Sequence, residues 1–139
     1  MNEKILIVDD DESFLKLYSS MLKNEGYLVE SSKTGEQALN RMKGSTFHLI
    51  ILDYLLPDIQ GDKVIKKIRE YDRDTRIIIV TGHPSYSKCV DSLGMGISDI
   101  LIKPVSIYEL CNSINEALRS PIYYHKSLDS WIASKNWIT

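Results

Sequence analysis

The chain has few cysteines, no long apolar run, no surplus of basic charge and no glycine-rich phosphate loop. Its two cysteines, Cys89 and Cys111, form no CxxC and have no second ligand pair. They read as free thiols of a reducing cytosol rather than as a disulfide or a zinc site. No stretch approaches the roughly 20 apolar residues of a membrane span, and the N-terminus lacks a signal-peptide pattern. A soluble, cytoplasmic chain with no membrane partner is expected. Lys and Arg number 17 against 19 Asp and Glu. Without clustered cations the chain is not expected to bind nucleic acid directly, since phosphate contacts need them. Neither a GxxxxGK[ST] loop nor a GxGxxG turn follows the first apolar run, which argues against nucleotide binding.

What is present fits one domain with a single core, given 139 residues. Leu49-Ile50-Ile51-Leu52 is a short unbroken apolar run rich in β-branched residues, suited to a central strand covered on both faces. It runs into Asp53 and then a loop with Pro57 and Gly61. Lys4 to Val8 is a second such run, ending in Asp9-Asp10-Asp11-Glu12, and Ile77 to Val80 is a third, ending in Thr81-Gly82-His83-Pro84. Ile100-Leu101-Ile102 ends in Lys103-Pro104, and Tyr27 to Glu30 reads as an edge strand.

Helical segments alternate with these strands. Phe14, Leu15, Tyr18, Met21 and Leu22 recur at helical spacing from about Glu12 to Glu25, and Gly26 marks the end. One of the acids before this helix is expected to cap it. Thr34 with Gln37, and Ser106 with Glu109, make capping boxes for two further helices, the second reaching about Arg119. After Gly61, Val64, Ile65 and Ile68 mark an inner face, while Lys63, Lys66, Lys67, Arg69 and Glu70 read as solvated surface. A weaker helix carries Cys89, Val90 and Leu93. Five β/α alternations imply an α/β fold, a doubly wound five-stranded parallel sheet with helices on both faces.

In a parallel sheet all strand C-termini share one rim, where such sheets place their ligand sites. Asp9, Asp10, Asp53, Thr81 and Lys103 therefore meet at one edge. Converging carboxylates suit a hard cation such as Mg2+. A lysine beside them suits added negative charge, and a threonine hydroxyl can hydrogen-bond an anionic oxygen. The set points to phosphoryl chemistry.

With VDDD at Val8 to Asp11, LDYLLPDIQG at Leu52 to Gly61, Thr81-Gly82 and Lys103-Pro104, residues 3–119 resemble the receiver domain of bacterial two-component response regulators. The resemblance implies the flavodoxin-like strand order 2-1-3-4-5, which receiver proteins themselves illustrate. It implies that Asp53 accepts a phosphoryl group from a sensor histidine kinase or a histidine phosphotransfer protein. By the same resemblance, Asp10 and Asp53 bind Mg2+ by side chain, Asp9 assists through water, and Leu55 offers its backbone carbonyl. Thr81 and Lys103 bind phosphoryl oxygens, and the Lys103–Pro104 peptide is cis. The charge of Lys103 is then expected to matter more to the phosphorylated state than to the fold.

The family usually carries Tyr or Phe three residues before its lysine. Here that residue is Ile100, so a ring rotation cannot couple Thr81 to the last strand. Leu55 and His83 occupy the variable positions that tune dephosphorylation. A haloacid-dehalogenase-like phosphatase, the alternative, would need a second acid two residues after Asp53, where Leu55 stands. Residues 1–119 are thus expected to form the receiver domain, and 120–139 a C-terminal extension, either a linker or a short amphipathic helix with Trp131 and Ile132 on one side. An output domain or self-association would complete the partners.

Overall fold

The computed structural model describes residues 2–82, 89 and 94–120. Their order is β1 (Lys4–Val8), α1 (Glu12–Asn24), β2 (Leu28–Ser32), α2 (Gly35–Gly44), β3 (Leu49–Leu52), α3 (Gly61–Tyr71), β4 (Arg76–Thr81), β5 (Ile97–Ile102) and α4 (Ile107–Arg119). The strands form one sheet in the order β2-β1-β3-β4-β5, and every pairing is parallel. The expected helix through Val90 and Leu93, His83 and the segment 121–139 lie outside the described residues; Cys89 itself is buried.

Strand periodicity divides the core into two layers. Leu6, Val8, Ile50, Leu52, Ile77, Ile79 and Ile100 face α2 and α3, whose Leu39, Met42, Val64, Ile65 and Ile68 join the same cluster. Ile5, Ile7, Leu49, Ile51, Ile78, Val80 and Leu101 face α1 and α4 on the other side, meeting Leu15, Leu22, Leu110 and Ile114. Each fully buried branched side chain contributes roughly 1.5–3 kcal/mol of transfer free energy. The apolar runs of β1, β3 and β4 are therefore what fixes the sheet's middle.

Helix ends follow the sequence closely. Asp11 caps α1, its Oδ1 accepting from the Ser13 and Phe14 N–H groups at 3.0 and 3.2 Å. Gly26, with φ of +99°, closes α1. There the Tyr27 N–H donates to Leu22 O and the Gly26 N–H to Lys23 O, the double bond pattern of a Schellman end that favours glycine. Thr34 Oγ1 accepts from the Gln37 N–H at 3.1 Å. The Gln37 side chain returns to the Lys33 N–H at 2.9 Å, one residue before the reciprocal partner of a capping box. Ser106 caps α4 through the Glu109 N–H at 3.0 Å.

Three expectations shift. The edge strand runs Leu28–Ser32 rather than Tyr27–Glu30, because the Ser32 carbonyl still accepts from the Asp9 N–H at 3.1 Å. The last strand starts at Ile97 rather than Ile100, across a register shift opposite Ile77 and Ile78. Its polar start is buried because Asp99 has an internal donor, the Ser113 hydroxyl, at 2.8 Å. Arg69 is not solvated surface: its guanidinium donates to the carbonyls of Met95, Gly96 and Asp72 at 2.9–3.1 Å. It ties the end of α3 to the approach to β5.

Candidate functional site

The rim where β1, β3, β4 and β5 end holds the site. Asp53 follows β3, which runs between β1 and β4, and its N–H continues the sheet by donating to Val8 O at 2.9 Å. Only 8% of Asp53 is exposed. Its Oδ1 accepts from the buried Thr81 hydroxyl at 3.0 Å and from the Leu55 N–H at 3.1 Å. Its Oδ2 faces Lys103 Nζ at 3.2 Å. One carboxylate thus receives a hydroxyl, a backbone N–H and an ammonium.

Asp9 is buried at the end of β1. Its Oδ2 pairs with Lys103 Nζ at 2.6 Å, and its Oδ1 accepts from the Asp11 N–H at 3.0 Å. Asp10, the next residue, is exposed. Carboxylate oxygens of Asp9, Asp10 and Asp53 lie within 4.8 Å of one another. Such a set of hard, anionic oxygens fits a divalent cation of the Mg2+ type, which prefers carboxylates and water. The cis peptide between Lys103 and Pro104 is present.

Charge is unevenly shared at this rim. Burial raises the Asp9 carboxyl above its ordinary range; the Lys103 and Asp11 hydrogen bonds oppose this, while the charge of Asp53 adds to it. For Lys103 burial pulls the other way, yet the Asp9 hydrogen bond and the charges of Asp53 and Asp9 outweigh it and raise the ammonium. The two upward shifts have different causes: burial dominates at Asp9, whereas the two acids it faces dominate at Lys103.

The rim therefore brings together Asp9, Asp10, Asp53, Thr81 and Lys103 by side chain, and Leu55 meets it through its N–H, which donates to Asp53, where its carbonyl was the expected contact. Lys103 pairs with both Asp9 and Asp53, so its charge also bears on the fold. Ile100 is buried in the layer shared with α2 and α3, in the same cluster as Cys89. Burial, with the charge of Asp53 second, pushes the Cys89 thiol up to about 12.

Two neighbours of the site were not among the expected residues. Phe14 reads in sequence as part of the apolar stripe of α1, yet Lys103 Nζ stands 4.5 Å from its ring centroid. Asp58, in the loop after Asp53, accepts from the Gly35 and Glu36 N–H groups at 2.9 Å each and so caps α2 from outside. Only its acidic type inside a turn-rich loop hints at this, and any exposed loop acid looks the same. The end of that loop is sterically fixed. A Cβ at Gly61 would stand 2.7 Å from Tyr54 Cα, where the Gly61 N–H already donates to Tyr54 O at 2.8 Å.

A doubly wound parallel sheet with two acids, a hydroxyl and a lysine converging on a strand-end aspartate defines the class of phosphoacceptor signalling folds. Within that class, the family model of the response regulator receiver domain matches residues 5–115, and the chain belongs to this family. It is a receiver domain of two-component systems, and the hydrolase alternative falls away. Uncharacterized transcriptional regulatory protein YkoG of Bacillus subtilis is 34% identical over 115 residues, covering 83% of this chain and 50% of YkoG. Alkaline phosphatase synthesis transcriptional regulatory protein PhoP of the same bacterium is 34% identical over 119 residues, with 86% and 50% covered. The chain thus spans about half the length of these relatives.

Among solved structures, the CheY-like receiver domain protein of Methanospirillum hungatei JF-1 superposes with a TM-score of 0.81 at 34% identity, covering 85% of this chain and 94% of that one. Chemotaxis response regulator CheY4 of Vibrio cholerae gives 0.79 at 28% identity, covering 85% and 100%. No helix among the described residues is long and apolar enough to cross a membrane.

Proposed function

We propose that Asp53 is the phosphoacceptor of this receiver domain and takes its phosphoryl group from a phosphohistidine of a sensor histidine kinase or histidine phosphotransfer protein. The observation that carries this reading is the convergence of Thr81 Oγ1 at 3.0 Å and Lys103 Nζ at 3.2 Å on the two oxygens of Asp53. An Asp53 oxygen forms the new O–P bond while the donor's P–N bond breaks, and the imidazole leaves. Thr81 then turns its hydroxyl toward a phosphoryl oxygen, and Lys103 offsets the charge that the group adds. There is little covalent work for other residues, so rate comes from positioning and electrostatics. Asp10 and Asp53 by side chain, Asp9 through water and Leu55 by its carbonyl would hold Mg2+, which would neutralise charge on the transferring group. Beyond its own phosphorylation and dephosphorylation the chain has no separate substrate.

Residues 1–119 form the receiver unit in this reading, and 120–139 an extension from it. The modified domain acts, in the cytoplasm, on an output domain or a partner protein, and the half-length coverage of the Bacillus subtilis relatives leaves room for such a domain in longer relatives. Incubation with Mg2+ and acetyl phosphate tests the assignment. Intact mass should rise by one phosphoryl group in the parent and not in Asp53→Asn; equal labelling of the variant would sink it.

A further inference from the structure

Lys103 ends in three contacts of different kinds: Asp9 Oδ2 at 2.6 Å, Asp53 Oδ2 at 3.2 Å and the face of Phe14, whose centroid is 4.5 Å from Nζ. The two acids compete for one ammonium, and a lysine stem with four rotatable bonds would follow whichever pulls harder. Phe14 removes that freedom. An ammonium over an aromatic face is held by the ring's quadrupole, and the hold strengthens where water is scarce, as around a lysine with 25% side-chain exposure. The ring is itself fixed from two directions. Its backbone N–H is held by the α1 cap at Asp11, and its face stacks on Tyr18 with centroids 4.3 Å apart and planes 26° from parallel. The Tyr18 hydroxyl donates to the carbonyl of Val105, two residues beyond the lysine. A closed circuit therefore runs from Lys103 through Phe14 and Tyr18 of α1 back to the turn on which Lys103 stands.

We propose that Phe14 is a positioning residue, whose ring holds the Lys103 ammonium between Asp9 and Asp53 so that it meets phosphoryl oxygens as Asp53 is modified. This rests on Asp53 being the phosphoacceptor. The ordinary packing role of a half-buried phenylalanine makes a different prediction. Leucine would preserve packing but has no ring face, whereas tryptophan keeps the face.

In NMR spectra of the parent, the Lys103 ε-methylene protons, assigned by their loss in Lys103→Met, should lie upfield of the other lysines because of the Phe14 ring current. That shift should vanish in Phe14→Leu and persist in Phe14→Trp. With Mg2+ and acetyl phosphate followed by intact mass, Phe14→Leu should be phosphorylated roughly fivefold more slowly, the scale of one cation–π contact, and Phe14→Trp should recover most of the rate. Thermal melting of each variant shows that it is folded. A parent lysine without the upfield shift overturns the proposal. So does a Phe14→Leu variant modified at the parent's rate, which leaves the Asp53 reading intact; a folded parent that takes no phosphoryl group overturns both.

Discussion

Lys103 is the residue on which the resting state and the modified state both depend. In sequence it is a strand-end lysine beside acids, and its value looks reserved for an incoming phosphoryl group. That is incomplete: Asp9 and Asp53 are both buried, and Lys103 faces both. Removing one partner of a buried pair leaves charge without compensation, typically at a cost of about 3–5 kcal/mol. Since Lys103 keeps a quarter of its side chain in solvent, screening reduces this, and Lys103→Met should lower the stability of the unmodified, magnesium-free protein by about 2 kcal/mol. Denaturant melts in chelator measure it. Addition of Mg2+ should narrow the gap to the parent, because a cation on the acids replaces the missing charge. A variant as stable as the parent without metal would show that the acids shed their charge by another route.

At the scale of elements, the loop from Asp53 to Gly61 does more than display the phosphoacceptor. Asp58 reaches back to the first turn of α2 and fills two of its free donors, Gly35 N–H and Glu36 N–H, while Thr34 fills a third. The slight burial of Asp58 would raise its carboxyl, but these backbone hydrogen bonds prevail and hold it below the ordinary range. A carboxyl depressed in the folded state contributes stability above its unfolded pKa of about 4, and that contribution is lost as pH falls through the lower folded value. Asp58→Ala should therefore cost about 0.5–1 kcal/mol at neutral pH, and progressively less than that below pH 4. Melting curves of the two proteins at pH 7 and pH 3 check the sign; a difference that grows in acid would contradict it. The strands legible in sequence, β1, β3 and β4, are those buried on both faces, where composition alone reports environment. Ser31-Ser32 in β2 and Ser98-Asp99 in β5 hid the true strand limits because polar residues give no strand signal of their own, and Asp99 finds its donor in Ser113, a tertiary partner that no local window contains. Arg69, Asp58 and Phe14 escaped for the same reason: each gains its role from a residue far along the chain, 26 positions away for Arg69 and Met95. Caps, by contrast, are local: Thr34 and Ser106 were readable by position, and the cap of α1 was narrowed to the acids before it, among which Asp11 serves.

For the whole molecule, the site and the fold are one assembly. Asp9 and Lys103 are 94 positions apart, and Asp9, Asp53 and Lys103 come together only when β1, β3 and β5 lie in register in one sheet. An unfolded chain offers scattered carboxylates with little affinity for a divalent cation, whereas the folded rim offers oxygens within 4.8 Å of one another. Any cation that prefers the folded rim must then stabilise the entire sheet by linkage, by roughly 2.7 kcal/mol at a hundredfold excess over its dissociation constant. The direction is reinforced by electrostatics, because Lys103 pairs with only two of the three clustered acids and a divalent cation relieves their mutual repulsion. Asp10 isolates this effect best. It is exposed and lies outside the Asp9–Lys103 pair, so Asp10→Ala should leave the metal-free melting temperature close to the parent's and remove most of the rise that Mg2+ produces. Melting curves of both proteins across a Mg2+ titration, reversed by chelator, make the comparison. A parent indifferent to Mg2+ would count against a cation site at this rim, and an undiminished rise in Asp10→Ala would move the cation away from Asp10.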